Sequence, residues 1–178
     1  MVEYRNSNAV IKIDVASKTA YTEMDSIKAD VLNVIPPMKA GMVASLAGVV
    51  GADGRWCAVD FMSFESKVHK NIHIIGDSVA AALPKSGFMA SAQAKVCVAA
   101  ILEMLDGNQP DQNPSLVNTC YSMVSDTEAI HVANVFSFNA EKQAMVSVDG
   151  GGGSAVRSVE EGVYAATWLN NIMSDVLL

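Results

Sequence analysis

The stretch "NIHIIGDSVAAALPKSGFMASAQAKVCVAAILEML", from Asn71 to Leu105, decides the fold that we predict. It begins as a short apolar strand, Ile72 to Ile75, and from about Met89 its apolar residues recur at helical spacing. Gly76 closes the strand and Asp77 follows it, so a carboxylate lies just beyond the end of the predicted strand. In α/β proteins, ligands bind at that edge of the sheet.

Small residues introduce the helix and indicate a ligand at its start. Lys85, Ser86 and Gly87 stand directly before the apolar pattern. The free amides of a first helical turn carry partial positive charge, which favours an anionic or electron-rich ligand. Two plainer interpretations stay open: Asp77 merely caps a turn, and Ser86 or Ser91 is an ordinary helix cap.

The rest of the chain predicts a mixture of strands and helices. In chain order these are a hairpin (9–15 and 19–24), a buried strand (29–37), a helix (42–49), three short strands (116–124, 129–138 and 144–149) and a terminal helix (158–176). The character of the sequence changes after residue 107, at "GNQPDQNPS", which predicts a domain edge. "GGGGS" at 150–154 lacks the Lys-Ser/Thr pair of a phosphate-binding loop and predicts a flexible surface loop.

Composition excludes some classes of function. The 178 residues are 51% hydrophobic and carry a net charge of -7 without a cluster of Lys and Arg, so we expect no nucleic-acid partner. Lys85, Lys95 and Glu103 interrupt the longest apolar run, so we expect no membrane span. The first residues have neither a basic region nor an apolar core, so we expect no secretory signal in this sequence.

The cysteines, the histidines and one tryptophan are candidate site residues. Cys57, Cys97 and Cys120 stand at wide spacing without CxxC, which indicates neither a zinc site nor a disulfide framework. From spacing alone they are three small buried hydrophobes, and the scattered histidines are structural or solvated. Trp168 lies on the apolar face of the last helix, and its pattern alone predicts core packing.

Five motifs taken in order resemble one family, the flavoprotein subunit of flavocytochrome c sulfide dehydrogenase. They are "ADVLNVIPPMKAG", "WCAVDFMSFESKVHKNIHIIGDS", "PKSGFMASAQAKVCVAAI", "LVNTCYSMV" and "WLNNIM", and they run through essentially the whole chain. A Gly-Asp pair alone is a weak signal. The ordered combination is highly specific.

The resemblance implies an FAD-binding protein of the pyridine nucleotide-disulfide oxidoreductase group. Gly76 and Asp77 would meet the ribityl and pyrophosphate side of FAD. The helix that Lys85, Ser86 and Gly87 introduce would point its amino end at the pyrimidine edge of the isoalloxazine, where negative charge collects on reduction.

The resemblance also assigns a redox role to one residue and a place beside the flavin to another. Cys120, in "NTCYS", matches one of the family's two redox cysteines, and Trp168 matches a tryptophan near the flavin. In the implied mechanism sulfide attacks the disulfide, a thiolate passes two electrons to the flavin, and reduced FAD delivers them singly to a haem. The haem belongs to a cytochrome c subunit, and the family works in the periplasm.

Departures from a complete member of the family lead us to expect a carboxy-terminal fragment. The sequence has no GxGxxG, nothing matches the second redox cysteine, and a complete subunit is more than twice this long. Residues 1–107 would be an incomplete FAD/NAD(P)-binding, Rossmann-like portion, and residues 108–178 a carboxy-terminal α+β flavin-binding and interface domain, a mixed α+β and α/β fold. Open sheet edges predict a homo-oligomer or completion by the missing amino-terminal half.

Two other functions remain open from the sequence. The chain could be a non-catalytic docking fragment in which the flavin residues survive as packing. It could also be similar to sulfide:quinone reductases, which share the flavin seat and usually carry amphipathic membrane-binding segments at the carboxy end. The ending "TWLNNIMSDVLL" has no basic residue, which argues mildly against the second alternative.

Overall fold

The computed structural model describes residues 2–177 and divides the chain into two compact units. The division falls between Met38 and Lys39. The expected domain edge after residue 107 lies inside the second unit, where it stays a prediction.

The first unit is a three-stranded antiparallel sheet of β1 (Val10–Asp14), β2 (Thr19–Thr22) and β3 (Ser26–Lys28), in that order. The predicted hairpin is confirmed. Its turn forms because the Asp14 carboxylate accepts hydrogen bonds from the amides of Ala16 and Ser17, at 3.0 and 3.2 Å.

The predicted strand over 29–37 is wrong, because β3 forms earlier and, in the described chain, no strand pairs with the run beyond Ala29. Val31 and Ile35 are 86% and 82% exposed. Two prolines at the end of the run remove backbone donors, which weakens any sheet there.

The second unit begins with a short helix and a largely irregular segment. Helix α1 (Met42–Leu46) confirms the predicted helix in shorter form and is followed by Gly48 at φ +69°. The predicted strand Ile72 to Ile75 is wrong: in this segment only His73 makes a β-bridge, with Glu65. A single 3-10 turn, Gly76–Ser78, follows.

Helix α2 (Gly87–Leu105) is the central element of the second unit and packs against β4. It confirms the predicted helix and buries one edge, made of Met89, Gln93, Cys97 and Ala100. By length and composition α2 could cross a membrane, a weak indication that core helices also give; 22% of its most apolar window is buried inside the structure. Helix α2 is longer and more apolar than the sequence analysis expected, with two charges in 19 residues, and the expectation of no membrane span stays a prediction.

The three predicted carboxy-terminal strands are confirmed as an antiparallel sheet of β4 (Ser115–Met123), β5 (Ala129–Asn139) and β6 (Ala144–Gly153). The flexible loop predicted for "GGGGS" is wrong, because its glycines are the end of β6. A Cβ at Gly151 would lie 2.7 Å from the Ala133 carbonyl oxygen, so only glycine lets β6 approach the irregular part of β5 this closely.

Helix α3 (Val159–Leu177) confirms the terminal helix and contacts β4 and β5. Between α2, the sheet and the irregular segment lies the main core, whose largest fully buried members include Phe64, Met89 and Leu116. The fold class is therefore mixed α and β, as predicted. All described strand pairs are antiparallel, and the one parallel contact is an isolated bridge between Cys57 and Val79.

Candidate functional site

The start of α2 is the point at which the predicted site residues meet. Ser86 has extended backbone angles, and its hydroxyl oxygen accepts a hydrogen bond from the Met89 amide at 3.0 Å, so the plain interpretation of Ser86 as the helix cap is correct. The first intrahelical bond runs from Ala90 to the Ser86 carbonyl. Within residues 2–177 the amides of Gly87 and Phe88 have no acceptor, so the positive end of the helix is open.

Gly76 is positioned by a residue that the sequence analysis missed. The Gly76 amide donates to Oε1 of Gln93 at 2.6 Å, and the Gln93 side chain is only 2% exposed. Gly76 has φ +75°, a conformation that favours glycine. The sequence signal for Gln93 was its position as a single amide side chain on the buried edge of an apolar helix. A buried amide needs a hydrogen-bond partner.

Lys85 is fully engaged in shaping the turn that precedes α2. Its Nζ donates to the carbonyl oxygens of Asp77 at 2.6 Å and Val79 at 3.1 Å, and it lies 4.0 Å from the ring centroid of Trp56. Burial lowers the pKa of Lys85, and the Asp77 charge acts in the opposite direction. Asp77 lies in the 3-10 turn that Lys85 holds and is exposed.

Cys120 differs from the other two cysteines. Cys57 and Cys97 are buried, which contradicts any redox role for them; burial raises the pKa of both thiols, and Asp53 adds to this at Cys57. Cys120 is exposed on β4, contrary to the buried position predicted from spacing alone. Its Sγ accepts a hydrogen bond from Nδ2 of Asn118 at 3.3 Å, and Oδ1 of Asn118 accepts one from the Ser86 hydroxyl at 2.5 Å.

Trp168 on α3 stacks on Phe88 in the first turn of α2, with ring centroids 5.5 Å apart and planes 13° apart. A cavity of about 360 Å³ adjoins this stack and is lined by both rings, Lys95 and Val117. An apolar groove of about 770 Å³ begins at Ile75 and Gly87 and continues between α2 and α3. Both volumes fall within the range of small-molecule sites, about 300–1,000 Å³.

The structure thus gathers the predicted site residues around one helix start. Ser86 and Gly87 form the start itself, and Asn118 connects it to Cys120. Phe88 connects it to Trp168. The predicted residues Gly76 and Asp77 lie in the turn before the helix, to which the predicted residue Lys85 donates hydrogen bonds and which Gln93 holds to α2. Sequence analysis missed three connecting residues, which are Phe88, Gln93 and Asn118.

A second polar cluster lies elsewhere in the unit. Nδ1 of His131 lies 2.6 Å from Oε2 of Glu161, and the Ser154 hydroxyl donates to Oε1 of Glu161 at 2.7 Å. Ser154 and Glu161 contact the same histidine nitrogen, so the three do not form a relay through the ring. The cluster joins β5 to the first turn of α3, and the structural role predicted for His131 is consistent with this contact. No group of three metal-ligating side chains exists within residues 2–177.

Comparison with known families identifies the carboxy-terminal part of this unit. Residues 112–177, which contain β4, β5, β6 and α3, match the model of a flavin-binding domain, which is consistent with FAD as the cofactor. The matching family is flavocytochrome c sulphide dehydrogenase, flavin-binding. This confirms the resemblance drawn from the five motifs, over 66 of the 178 residues.

Proposed function

We propose that the chain is the FAD-holding carboxy-terminal part of a sulfide-oxidising flavoprotein that passes electrons through Cys120 and the flavin to a cytochrome c subunit. One observation carries the proposal. The exposed cysteine is connected by hydrogen bonds to the open start of α2, in a chain whose carboxy-terminal part is a flavin-binding domain.

The residues at the helix start suit a flavin. A Cβ at Gly87 would meet nothing within 4 Å, so there is open space beside the first residue of the helix. Amides at a helix start stabilise negative charge, and the flat Phe88–Trp168 stack borders the neighbouring cavity. Gly87 and Phe88 would hold the electron-rich edge of the ring system, and exposed Asp77 would accept hydrogen bonds from the ribityl hydroxyls.

Lys85 and Gly76 would act through the shape of the turn. Lys85 already donates to two carbonyl oxygens, so it would keep the Asp77 backbone in place for the cofactor. Gly76, held by Gln93, would allow close approach of the ribityl chain. The Cys57–Val79 parallel bridge followed by α2 would be the remaining edge of the Rossmann-like portion.

Cys120 would form half of the redox disulfide. Hydrosulfide attacks one sulfur of that disulfide, a new S–S bond forms as the old one breaks, and the other cysteine leaves as a thiolate. Cys57 and Cys97 are buried, so the second cysteine would come from another part of the enzyme. The bound flavin supplies a two-electron acceptor that releases electrons singly, which no side chain can do.

The family resemblance supports a proposal for the partner and the compartment. A cytochrome c subunit would receive the electrons in the periplasm, and the missing amino-terminal half would complete the site. A homo-oligomer would instead cover the open sheet edges with a second copy of the chain.

A docking fragment without catalysis is the second candidate, favoured by exposed apolar side chains on α2. Val98, Leu102 and Leu105 are 56%, 58% and 78% exposed. Apolar patches of this kind mark interaction surfaces.

Titration of the purified chain with FAD distinguishes the two candidates. We expect saturable quenching of flavin fluorescence, and weaker affinity in Asp77→Ala with unchanged circular dichroism. Asp126→Ala is the matched control, because it removes an exposed carboxylate in the turn between β4 and β5. A folded chain that binds no FAD would leave the docking fragment as the better account.

A further inference from the structure

Three hydrogen bonds form a directed chain from the first turn of α2 to the sulfur of Cys120. The Met89 amide donates to the Ser86 hydroxyl oxygen at 3.0 Å. That hydroxyl donates to Oδ1 of Asn118 at 2.5 Å, and Nδ2 of Asn118 donates to Sγ of Cys120 at 3.3 Å. We call these contacts the Met89–Ser86–Asn118 relay.

The direction of the relay follows from the chemistry of its first member. A backbone amide can only donate, so the Ser86 oxygen accepts from Met89 and keeps its single proton for another partner. Oδ1 of Asn118 accepts that proton. The amide of Asn118 is therefore oriented with its NH2 group toward Cys120, and each bond polarises the next in the same sense.

Burial makes this orientation rigid. Asn118 is 2% exposed and follows Leu116, at 1%, on the same face of β4. A buried amide is costly unless its donor and acceptor are both satisfied, and Ser86 and Cys120 satisfy them. Cys120 is the next residue on that face and is the first one exposed to solvent, so a buried donor is presented to an accessible sulfur.

We propose that Asn118 is a positioning residue for Cys120, and that Ser86 acts through Asn118 to stabilise the Cys120 thiolate. The inference rests on the proposed redox role of Cys120 and deepens it. A thiolate accepts a hydrogen bond more strongly than a thiol does, so the relay favours the ionised form that attacks and leaves in disulfide exchange. Ser86 then serves the cysteine as well as the helix cap.

Other ionisable groups around this strand are arranged differently. Lys85 comes from the segment before α2, and its ammonium donates to two carbonyl oxygens. Tyr121 and His131 are cross-strand partners on the opposite face of the sheet, where His131 contacts Glu161. Asp77 is exposed in the 3-10 turn. Nδ2 of Asn118, at the end of the relay, is therefore the hydrogen-bond donor that the described chain directs at Sγ of Cys120.

The test measures the alkylation rate of Cys120 by iodoacetamide, a neutral reagent, in the whole chain with peptide mapping. Rates are taken at about pH 7 and again at about pH 10, where a free thiol is ionised. We expect Asn118→Ala to slow the reaction about threefold at the lower pH. The reason is the loss of the Asn118 hydrogen bond, which stabilises the attacking sulfur when it carries charge. At the higher pH the loss disappears.

Variants of Ser86 separate the relay from helix capping. Glycine caps a helix almost as well as serine but has no hydroxyl, so Ser86→Gly should slow alkylation at the lower pH with little loss of stability. Ser86→Thr restores the hydroxyl and should restore the rate. Asn113→Ala is the matched control, since the Asn113 side chain makes no hydrogen bond within residues 2–177.

Two outcomes would overturn the proposal. Equal slowing at both pH values would mean that Asn118 only shapes access to the sulfur. Unchanged rates in Asn118→Ala, or in Ser86→Gly should Asn118→Ala fail to fold, would mean that the relay does not act on the thiolate. Because alkylation needs no flavin, this result is independent of the FAD titration that tests the proposed function.

Discussion

Phe88 and Trp168 stack with their ring planes only 13° apart, and this contact connects the first turn of α2 to α3. The two aromatic rings belong to helices that are separated in the chain by the whole carboxy-terminal sheet. The stack therefore contributes both to the packing of α3 and to the wall of the cavity beside the helix start.

Removal of the indole should destabilise the second unit. We expect Trp168→Ala to lower the free energy of unfolding by about 2 kcal/mol, because a partly buried ring and its stack are lost. Trp168→Phe keeps a ring and should lose less than about 1 kcal/mol. Urea unfolding followed by circular dichroism measures both. Tyr164→Ala, at an exposed position of α3, is the control; an equal loss there would show that the stack is not the cause.

The three cysteines should react with a thiol probe in the order of their exposure. We expect Cys120 to be labelled while the chain is folded, and Cys57 and Cys97 only after unfolding, because both are buried with raised thiol pKa values. Mass spectrometry of labelled peptides gives the order. Labelling of Cys97 as fast as Cys120 would contradict the assignment of Cys120 as the redox cysteine.

A methyl group at Gly87 should weaken FAD binding without destabilising the folded chain. Gly87→Ala places a Cβ in the open space before the helix start, where nothing lies within 4 Å. We expect FAD affinity to fall about tenfold, whereas stability stays the same or rises by less than about 1 kcal/mol, because alanine favours a helix. Gly41→Ala, also with open space around it at a helix start, is the control. If both variants bind FAD like the parent chain, the cofactor does not approach Gly87.

Glu161 should make the second unit sensitive to acid. The Ser154 hydroxyl holds the pKa of Glu161 below its ordinary value of 4.5, burial opposes this, and His131 adds to the lowering. The folded state therefore binds the proton less readily than the unfolded state, so this contribution is complete above about pH 4.5 and is lost as the pH falls through the lowered value.

Glu161→Gln tests that contribution. We expect it to be less stable than the parent chain at neutral pH and to approach it as the pH falls below 4.5, as measured by urea midpoints across that range. Glu160→Gln, at the exposed neighbouring position, should change the curve little. If the urea midpoints of Glu161→Gln and of the parent chain change with pH in parallel, the Glu161 carboxylate does not cause the acid sensitivity.

Gly162 should tolerate no side chain. A Cβ there would overlap the carbonyl oxygen of Thr127, so α3 lies directly against the turn between β4 and β5. We expect Gly162→Ala to cost about 2–3 kcal/mol of unfolding free energy, through overpacking against backbone. Gly152→Ala, where a Cβ would meet nothing within 4 Å, should cost much less. Similar losses in both variants would argue against a close contact of α3.

Local patterns in the chain predicted most of the secondary structure. Helices α2 and α3 and strands β4 and β5 follow from apolar spacing, since each pattern reports the face that an element buries. The strand predicted at 29–37 failed because a strand also needs a neighbour. The glycine run failed for the opposite reason: β5 provides a neighbour that only glycine can approach.

The sequence by itself determined the resemblance to one family, the mixed α and β class and the chemical types at the site, because motifs and periodicity are local properties of the chain. Only the tertiary structure decided which residues meet. Asn118 joins Ser86 to Cys120, Phe88 meets Trp168, and Gln93 holds the turn before α2. These pairings depend on how α2, α3 and β4 pack, and a buried polar group takes its partner from whichever element lies against it.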